Sequence, residues 1–205
     1  MAGGRTFTAT SGSGLIFGFE PYCIIPGLRL PIVIGIASRE INGPNILGYS
    51  LQDVMVSRDA GWIQIVVENN QEIIDATIMA YRLAEDPEIM LPVNVCYAGW
   101  YLSYSSDTLL LPFQKDVDKF LAPVNQPRPV TLNPDRPVAF YGYVPNPERY
   151  SEFRYYQCAA MQRAKTKFDQ IDREFDTIFG RSYSGQIEEY RTEDAEIIIV
   201  TMAIT

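Results

Sequence analysis

The chain has 205 residues, 47% hydrophobic and 20% charged, enough to bury a real core as one globular domain or slightly more. A formal net charge of −8 leaves nothing to neutralise a phosphate backbone, which excludes nucleic acid as a partner. Histidine is absent, which removes Ser-His-Asp and Cys-His nucleophile systems and the H-E-x-x-H zinc site together, so acid–base chemistry must come from carboxylates, a cofactor or another chain.

No apolar run reaches the length of a membrane span, and Met1-Ala2-Gly3-Gly4-Arg5-Thr6 has no signal-peptide layout, so no membrane association is expected. Cys23, Cys96 and Cys158 stand far apart in apolar company and read as buried thiols of a reducing compartment, the cytoplasm. Without a C-x-x-C spacing, neither an iron–sulfur cluster nor zinc is expected on this chain.

Residues 5–10 are β-branched and aromatic and read as a strand that ends in Ser11-Gly12-Ser13-Gly14. A glycine-rich turn between strand and helix either cradles an anion on free backbone N–H groups or is a plain tight turn. Residues 15–25 are apolar almost all round, as a helix buried between sheet and neighbour should be, with Pro21 marking a kink or an early first turn. Residues 30–37 form a continuous apolar run, the pattern of a central parallel strand.

The loop Ser38-Arg39-Glu40-Ile41-Asn42-Gly43-Pro44-Asn45 follows, and then a short helix over residues 52–57. Ligands of doubly wound sheets bind beyond the C-terminal ends of strands, where this loop must sit. Arg39 there reads either as a carboxylate clamp, through its planar guanidinium fork, or as an ordinary surface arginine beside a turn.

Residues 63–67 read as a buried strand, and Asn69 as the N-cap of a helix with Glu72 at N3, a capping-box pair. Ile74, Ile78 and Tyr81 line one stripe of that helix, widened by Ile73, Ala80, Leu83 and Ala84, and Pro87 ends it. Residues 93–97 are the next strand, turned outward by Ala98-Gly99-Trp100. From Pro112 onward the composition changes. Prolines at 123, 127, 129, 134, 137, 145 and 147 read as an extended connector.

A long helix over residues 148–179 stops at Gly180, a C′ residue. Its seam of Tyr150, Phe153, Met161, Ala164, Phe168, Ile171, Phe175 and Ile178 is interrupted by Gln157. The seam serves self-association, or packing on the parent domain or a partner subunit. Residues 195–205 read as a bare β-branched strand.

Three segments together carry a resemblance: Arg58-Asp59-Ala60-Gly61-Trp62-Ile63-Gln64, then Glu68-Asn69-Asn70-Gln71-Glu72, then Leu91-Pro92-Val93-Asn94-Val95-Cys96. Their order and spacing are similar to the pyrimidine-binding domain of the pyruvate:ferredoxin oxidoreductases, more broadly the 2-oxoacid:ferredoxin oxidoreductases. The match extends to Gly4-Arg5-Thr6-Phe7-Thr8-Ala9-Thr10-Ser11, to Phe153-Arg154-Tyr155, to Ile178-Phe179-Gly180-Arg181 and to Tyr190-Arg191-Thr192-Glu193-Asp194-Ala195-Glu196.

The resemblance implies an α/β fold with a doubly wound, mostly parallel sheet. Residues 1–122 would be a thiamine pyrimidine-binding-type domain without its N-terminal part. Residues 123–190 would be the proline-rich connector and long connecting helix. Residues 191–205 would open a second domain resembling the C-terminal domain of transketolases. The implied reaction is attack of a thiamine ylid on a keto carbon, loss of carbon dioxide and one-electron transfer to iron–sulfur clusters, with an acyl-CoA as product in pyruvate-type enzymes. Thiamine diphosphate would be shared with another subunit, near Thr10, Ser11 and Gly12. Substrate would be bound by Arg39, Asn42 and Ile46.

Magnesium and the iron–sulfur clusters would sit on partner chains, with ferredoxin as electron acceptor and coenzyme A joining if pyruvate is the substrate. The pyrimidine-activating glutamate is expected outside this sequence, so the isolated chain should be inactive. Ala98-Gly99-Trp100 stands where the family has Asp-Gly-Phe, Tyr104 where it has a His after Ser, and Ile46-Leu47-Gly48-Tyr49 where it has a Trp or Phe near an Asn-Asp or Gly-Asp pair. These departures open oxalate or another small oxoacid as substrate. A non-catalytic assembly subunit and a different thiamine enzyme that reuses the domain are the rival classes.

Overall fold

The computed structural model describes residues 3–44, 46–121, 123, 131–137 and 146–203. Alternating apolar runs and helical periods resolve into a parallel sheet of β1 (Phe7–Thr10), β2 (Val33–Ser38), β3 (Ile63–Val66) and β4 (Val93–Ala98), in the order β1-β2-β4-β3. The chain steps from β1 to β2, passes over the place of β4 to reach β3, then reverses to β4. Right-handed crossovers put the helices of a reversed step on the opposite face. Accordingly α1 (Ser13–Phe17), α2 (Phe19–Gly27) and α3 (Gln52–Val56) cover one face, and α4 (Asn70–Ala84) covers the other.

The side-chain alternation of the strands fits these two layers. Val33, Val93 and Val95 pack under α4, whereas Ile34, Ile36 and Cys96 pack under α1, α2 and α3. The central strands β2 and β4 are covered on both faces, which is why they are apolar on both faces, apart from the buried Asn94 of β4 and Ser38 at the end of β2. The β3 segment, expected to be buried, is instead a half-buried edge strand, because its outer side has no described neighbour. Strand β1 is the other edge, and Phe7 is 55% exposed there.

The first helical region breaks at Gly18 into α1 and α2. Pro21 therefore falls in the first turn of α2, where a missing N–H costs nothing. From α2, the Tyr22 ring stacks on Trp62 at 4.3 Å with 7° between planes, and the Trp62 indole N–H donates to the Tyr22 carbonyl at 2.8 Å. A 3-10 turn, Arg58–Ala60, follows α3 and leads toward Trp62.

Helix α4 is capped as its sequence implies, with the Asn69 side chain accepting from the Glu72 N–H at 2.9 Å. The reciprocal bond reaches one residue further back than in a capping box, from the Glu68 N–H to the Glu72 carboxylate at 2.9 Å. The buried face is Ala76, Met79, Ala80, Leu83 and Ala84. Ile73, Ile78 and Tyr81 only flank it, so the stripe is rotated from the expected one.

Helix α5 (Gln114–Phe120) was not visible as a helix in the sequence, where Pro112 suggested the start of a connector. It delivers Phe120 edge-on to Phe175 at 5.4 Å and to Phe179 at 5.8 Å. Helix α6 (Pro147–Phe179) begins at Asn146, whose side chain accepts from the Arg149 N–H, and ends on left-handed Gly180. Its seam packs on the parent domain from Gln157 onward, through Ala160, Ala164, Ile171 and Phe175. Tyr150 and Phe153, which precede that stretch, are exposed.

Two buried carboxylates fasten the segment after α6. Asp75 is 0% exposed and receives Arg181 Nε at 2.7 Å, Arg181 Nη2 at 2.9 Å and the Tyr183 hydroxyl at 2.6 Å. Asp172 accepts from the Ser182 hydroxyl and from the backbone N–H groups of Tyr183 and Gly185.

Two expectations need correction. Cys23 and Cys158 are exposed, because they lie on the outward faces of α2 and α6, and only Cys96 is buried among the cysteines. Residues 195–203 form no described strand, because no sheet edge pairs with them, and Ile197, Ile198, Ile199 and Val200 are exposed. Residues 122, 124–130 and 138–145 of the connector lie outside the described residues. No described helix is long and apolar enough to cross a membrane.

Removing one partner of a buried charge pair strands the other charge. Arg181→Ala is therefore expected to cost about 3–5 kcal/mol. Arg82→Ala, which removes a more exposed pair with Glu174 at 3.4 Å, is expected to cost less than about 1 kcal/mol. Urea unfolding of the two variants measures the contrast, and equal small losses would show that Asp75 is satisfied without Arg181.

Candidate functional site

The connections of β1 and β2 lead to one face of the sheet, and those of β3 and β4 to the other. The topological switch point therefore lies between β2 and β4, where doubly wound sheets open a crevice beyond the strand ends. Arg39 follows β2 directly, and Gly99 and Trp100 follow β4 directly, so the two loops flank that crevice. The two strand ends are pressed together there. The Gly99 N–H donates to the Ser38 carbonyl at 3.0 Å, and a Cβ on Gly99 would lie 2.6 Å from that oxygen. Only glycine fits.

Asp53, in the first turn of α3, is the group that organises the β2 side. It is 0% exposed. Its Oδ2 accepts from the Gly12 N–H at 2.9 Å and the Arg39 N–H at 3.3 Å, and its Oδ1 accepts from the Val54 N–H at 2.8 Å. Burial pushes its carboxyl above the ordinary carboxylate value, and these three N–H groups together with its own backbone N–H pull it part of the way back.

The Arg39 side chain lies across the glycine turn. Its Nε donates to the Ser11 hydroxyl at 2.8 Å, and Nη1 reaches the Ile46 carbonyl at 3.5 Å. A Cβ on Gly12, which has φ +47°, would stand 2.9 Å from Arg39 Nε and 3.0 Å from Cγ and Cζ. Glycine is therefore required twice, by its backbone angle and by the guanidinium stem resting on it. The loop beyond Arg39 is drawn closed by an antiparallel bridge between Arg39 and Tyr49 and by the Ile41 N–H donating to Gln52 at 2.8 Å.

The structure thus brings together residues that the sequence placed in two sets. Ser11 and Gly12 of the glycine turn meet Arg39, and Ile46 joins through its carbonyl. Thr10 ends β1 directly before the turn. Asn42 is exposed on the loop, away from these bonds, and Asn45 lies outside the described residues. Across the crevice Trp100 packs on Tyr104 at 4.9 Å, and Trp100, Tyr104, Ile46 and Leu47 all present exposed apolar surface.

The turn is poorly suited to cradle a diphosphate. The N–H groups of Gly12, Gly14, Leu15 and Ile16 all donate within the chain. The Ser13 and Ser38 hydroxyl oxygens are buried and have no hydrogen-bond partner among the described residues. Among the described residues no group of three or more His, Cys, Asp or Glu could hold a metal ion.

Asp53 escaped sequence reasoning. In Leu51-Gln52-Asp53-Val54-Met55 it looks like an ordinary acid in the first turn of a helix, where the dipole favours it. Its sequence signal was confined to an acid beside a valine in a helix too short to show a period.

Comparison with known proteins follows the same lines. The family model described as pyruvate flavodoxin/ferredoxin oxidoreductase, thiamine diphosphate-binding, matches residues 1–173. The alpha subunit of NADH-dependent phenylglyoxylate dehydrogenase from Aromatoleum evansii is 42% identical over 98% of this chain and 50% of that subunit. Pyruvate synthase subunit PorA from Methanothermobacter thermautotrophicus is 43% identical over 98% of the chain and 51% of that subunit. Its counterpart from Pyrococcus abyssi is 42% identical over 98% and 50%, respectively. The chain spans about half the length of these curated relatives.

The raised Asp53 value has a consequence for stability with a definite sign. The native state keeps this proton after the unfolded chain has lost it, so the contribution of Asp53 to stability falls as pH rises from about 4 through its folded value. Measured against Asp53→Asn, which does not titrate, the wild-type chain should lose relative stability over that range and then level off. A relative gain with rising pH would show that the N–H groups outweigh burial.

Proposed function

Because the chain belongs to the pyruvate flavodoxin/ferredoxin oxidoreductase family of thiamine diphosphate-binding domains, we propose that it is the alpha-type part of an enzyme complex that oxidatively decarboxylates a small 2-oxoacid. The single observation that carries the reading is Arg39, set at the switch crevice with its stem seated on Gly12 and its Nε held by Ser11. A guanidinium fixed in this way offers a planar fork to the carboxylate that every 2-oxoacid carries. The relatives are named for pyruvate and for phenylglyoxylate. These acids share the oxocarboxylate and differ in the apolar group attached to it.

In this reading Arg39 binds and orients the carboxylate, and exposed Ile46 and Leu47 give the loop an apolar wall for the variable group. Oxalate, with a second carboxylate in place of that group, fits such a wall less well. Thiamine diphosphate, when bound, supplies the carbon nucleophile and the electron sink for the keto carbon. Thr10, Ser11 and Gly12 would face its uncharged pyrimidine. With the Gly12 and Gly14 N–H groups engaged within the chain, the diphosphate and its magnesium belong to a partner subunit.

The iron–sulfur clusters also belong to partner chains, since the three cysteines here lack cluster spacing. Ferredoxin takes the electrons, and coenzyme A takes the acyl group if pyruvate is the substrate. The unpaired cysteines fit a reducing compartment, and we place the complex in the cytoplasm. Residues 191–205 are the entry to a second domain, a role supported by the exposed apolar run from Ile197 to Val200.

Truncating one partner of a buried guanidinium–carboxylate contact typically costs about 2–5 kcal/mol. In the assembled complex Arg39→Ala should therefore lower kcat/KM for the oxoacid by roughly two orders of magnitude or more, at about 1.4 kcal/mol per tenfold. Thiamine diphosphate affinity should change much less. Steady-state kinetics and a cofactor titration measure the two effects. Wild-type oxoacid kinetics in the variant would reduce Arg39 to a loop residue.

A further inference from the structure

We propose that Asp53 is a positioning residue for the oxoacid site, one that sets where the Arg39 guanidinium stands while touching no substrate itself. The inference rests on the reading of Arg39 as the carboxylate-binding group.

One carboxylate oxygen, Oδ2, joins two backbone N–H groups that are distant in sequence: Gly12 at 2.9 Å and Arg39 at 3.3 Å. The first belongs to the turn on which the guanidinium stem rests. The second belongs to the residue from which that stem springs. The bed and the root of the arginine side chain are therefore fixed to the same atom, and the root is pinned again by the bridge to Tyr49.

The third bond, from the Val54 N–H to Oδ1 at 2.8 Å, holds the carboxylate itself to the start of α3. Val54 is fully buried under the sheet, so the anchor is rigid. A carboxylate in the first turn of a surface helix ordinarily stays in water and interacts with its own helix. This one is fully buried and spends an oxygen on two other segments, at a desolvation cost that local helix capping does not require. A displacement of about 1 Å at a positioning group can cost roughly 100-fold in rate. Rigid support of Arg39 is thus the return on that cost.

Asparagine is the informative replacement. Its single carbonyl can face Gly12 and Arg39 or face Val54, but not both, so the variant keeps the volume and loses one side of the latch. In the assembled complex Asp53→Asn should lower kcat/KM for the oxoacid by about tenfold, mostly as a raised KM. In an Arg39→Ala background the same change should have less than a twofold effect, because nothing remains to be positioned. A calorimetric titration with a non-reacting oxoacid analogue should show the same pattern without turnover.

If Arg39→Ala leaves oxoacid kinetics unchanged, the reading of Arg39 falls, and this inference falls with it. If Arg39→Ala is impaired while Asp53→Asn behaves as wild type, the inference alone is overturned. It is overturned equally if Asp53→Asn loses a further tenfold in the Arg39→Ala background, which would mark a general structural role. Should the Asp53 variant fail to assemble, amide exchange in the wild-type protein decides. Slow exchange at both Gly12 and Arg39 is expected, and fast exchange at both would remove the latch.

Discussion

The reversal of the chain between β3 and β4 is the constraint from which the rest of the architecture follows. Until that step the crossovers run in one direction, and right-handedness keeps α1, α2 and α3 on one face. Stepping back to place β4 beside β2 puts α4 on the opposite face, and α5 and α6 pack against the same core there. The loops after β2 and β4 then flank the switch point, and the Arg39 side chain runs from it toward the glycine turn after β1, where its stem lies on Gly12 and its Nε donates to Ser11.

Charge placement follows the two ends of the sheet. Beyond the C-terminal strand ends, one buried carboxylate, Asp53, gathers backbone N–H groups and leaves the Arg39 guanidinium to Ser11 and Gly12. Buried Asp172 likewise gathers N–H and O–H groups, whereas other carboxylates pair with cations. Arg5 pairs with Glu85, Lys167 with Asp86, and Arg181 with the fully buried Asp75. These ties clamp β1 and α6 to α4 and to the loop that follows it. The layer built on α4 is thus cross-linked, which suits a scaffold whose working loops must keep their register.

Much of this was legible in the sequence because it rests on local or periodic signals. The β2 strand needed only a continuous apolar run rich in Val and Ile, and the Asn69 cap only the three-residue spacing to Glu72. The extent of α6 followed from its seam and from Gly180. What stayed hidden depends on pairings across long stretches of chain. Asp53 is separated from Gly12 by 41 positions and Asp75 from Arg181 by 106, and neither acid looks unusual among its neighbours. Helix α5 is seven residues long, too short to show a period, and Phe120 makes sense only beside Phe175. The apolar run at 195–203 has strand composition, but a strand requires an edge to pair with, which composition cannot supply.

The chemistry assigned to the crevice turns on one contact, between the Arg39 guanidinium and the carboxylate of a 2-oxoacid. The most direct measurement is a structure of the assembled complex with thiamine diphosphate and a non-reacting oxoacid analogue. The expected result is a paired contact at about 3 Å between that carboxylate and Arg39, whose stem still lies on Gly12. An analogue bound with its carboxylate on other residues, and Arg39 turned away from it, would contradict the assignment.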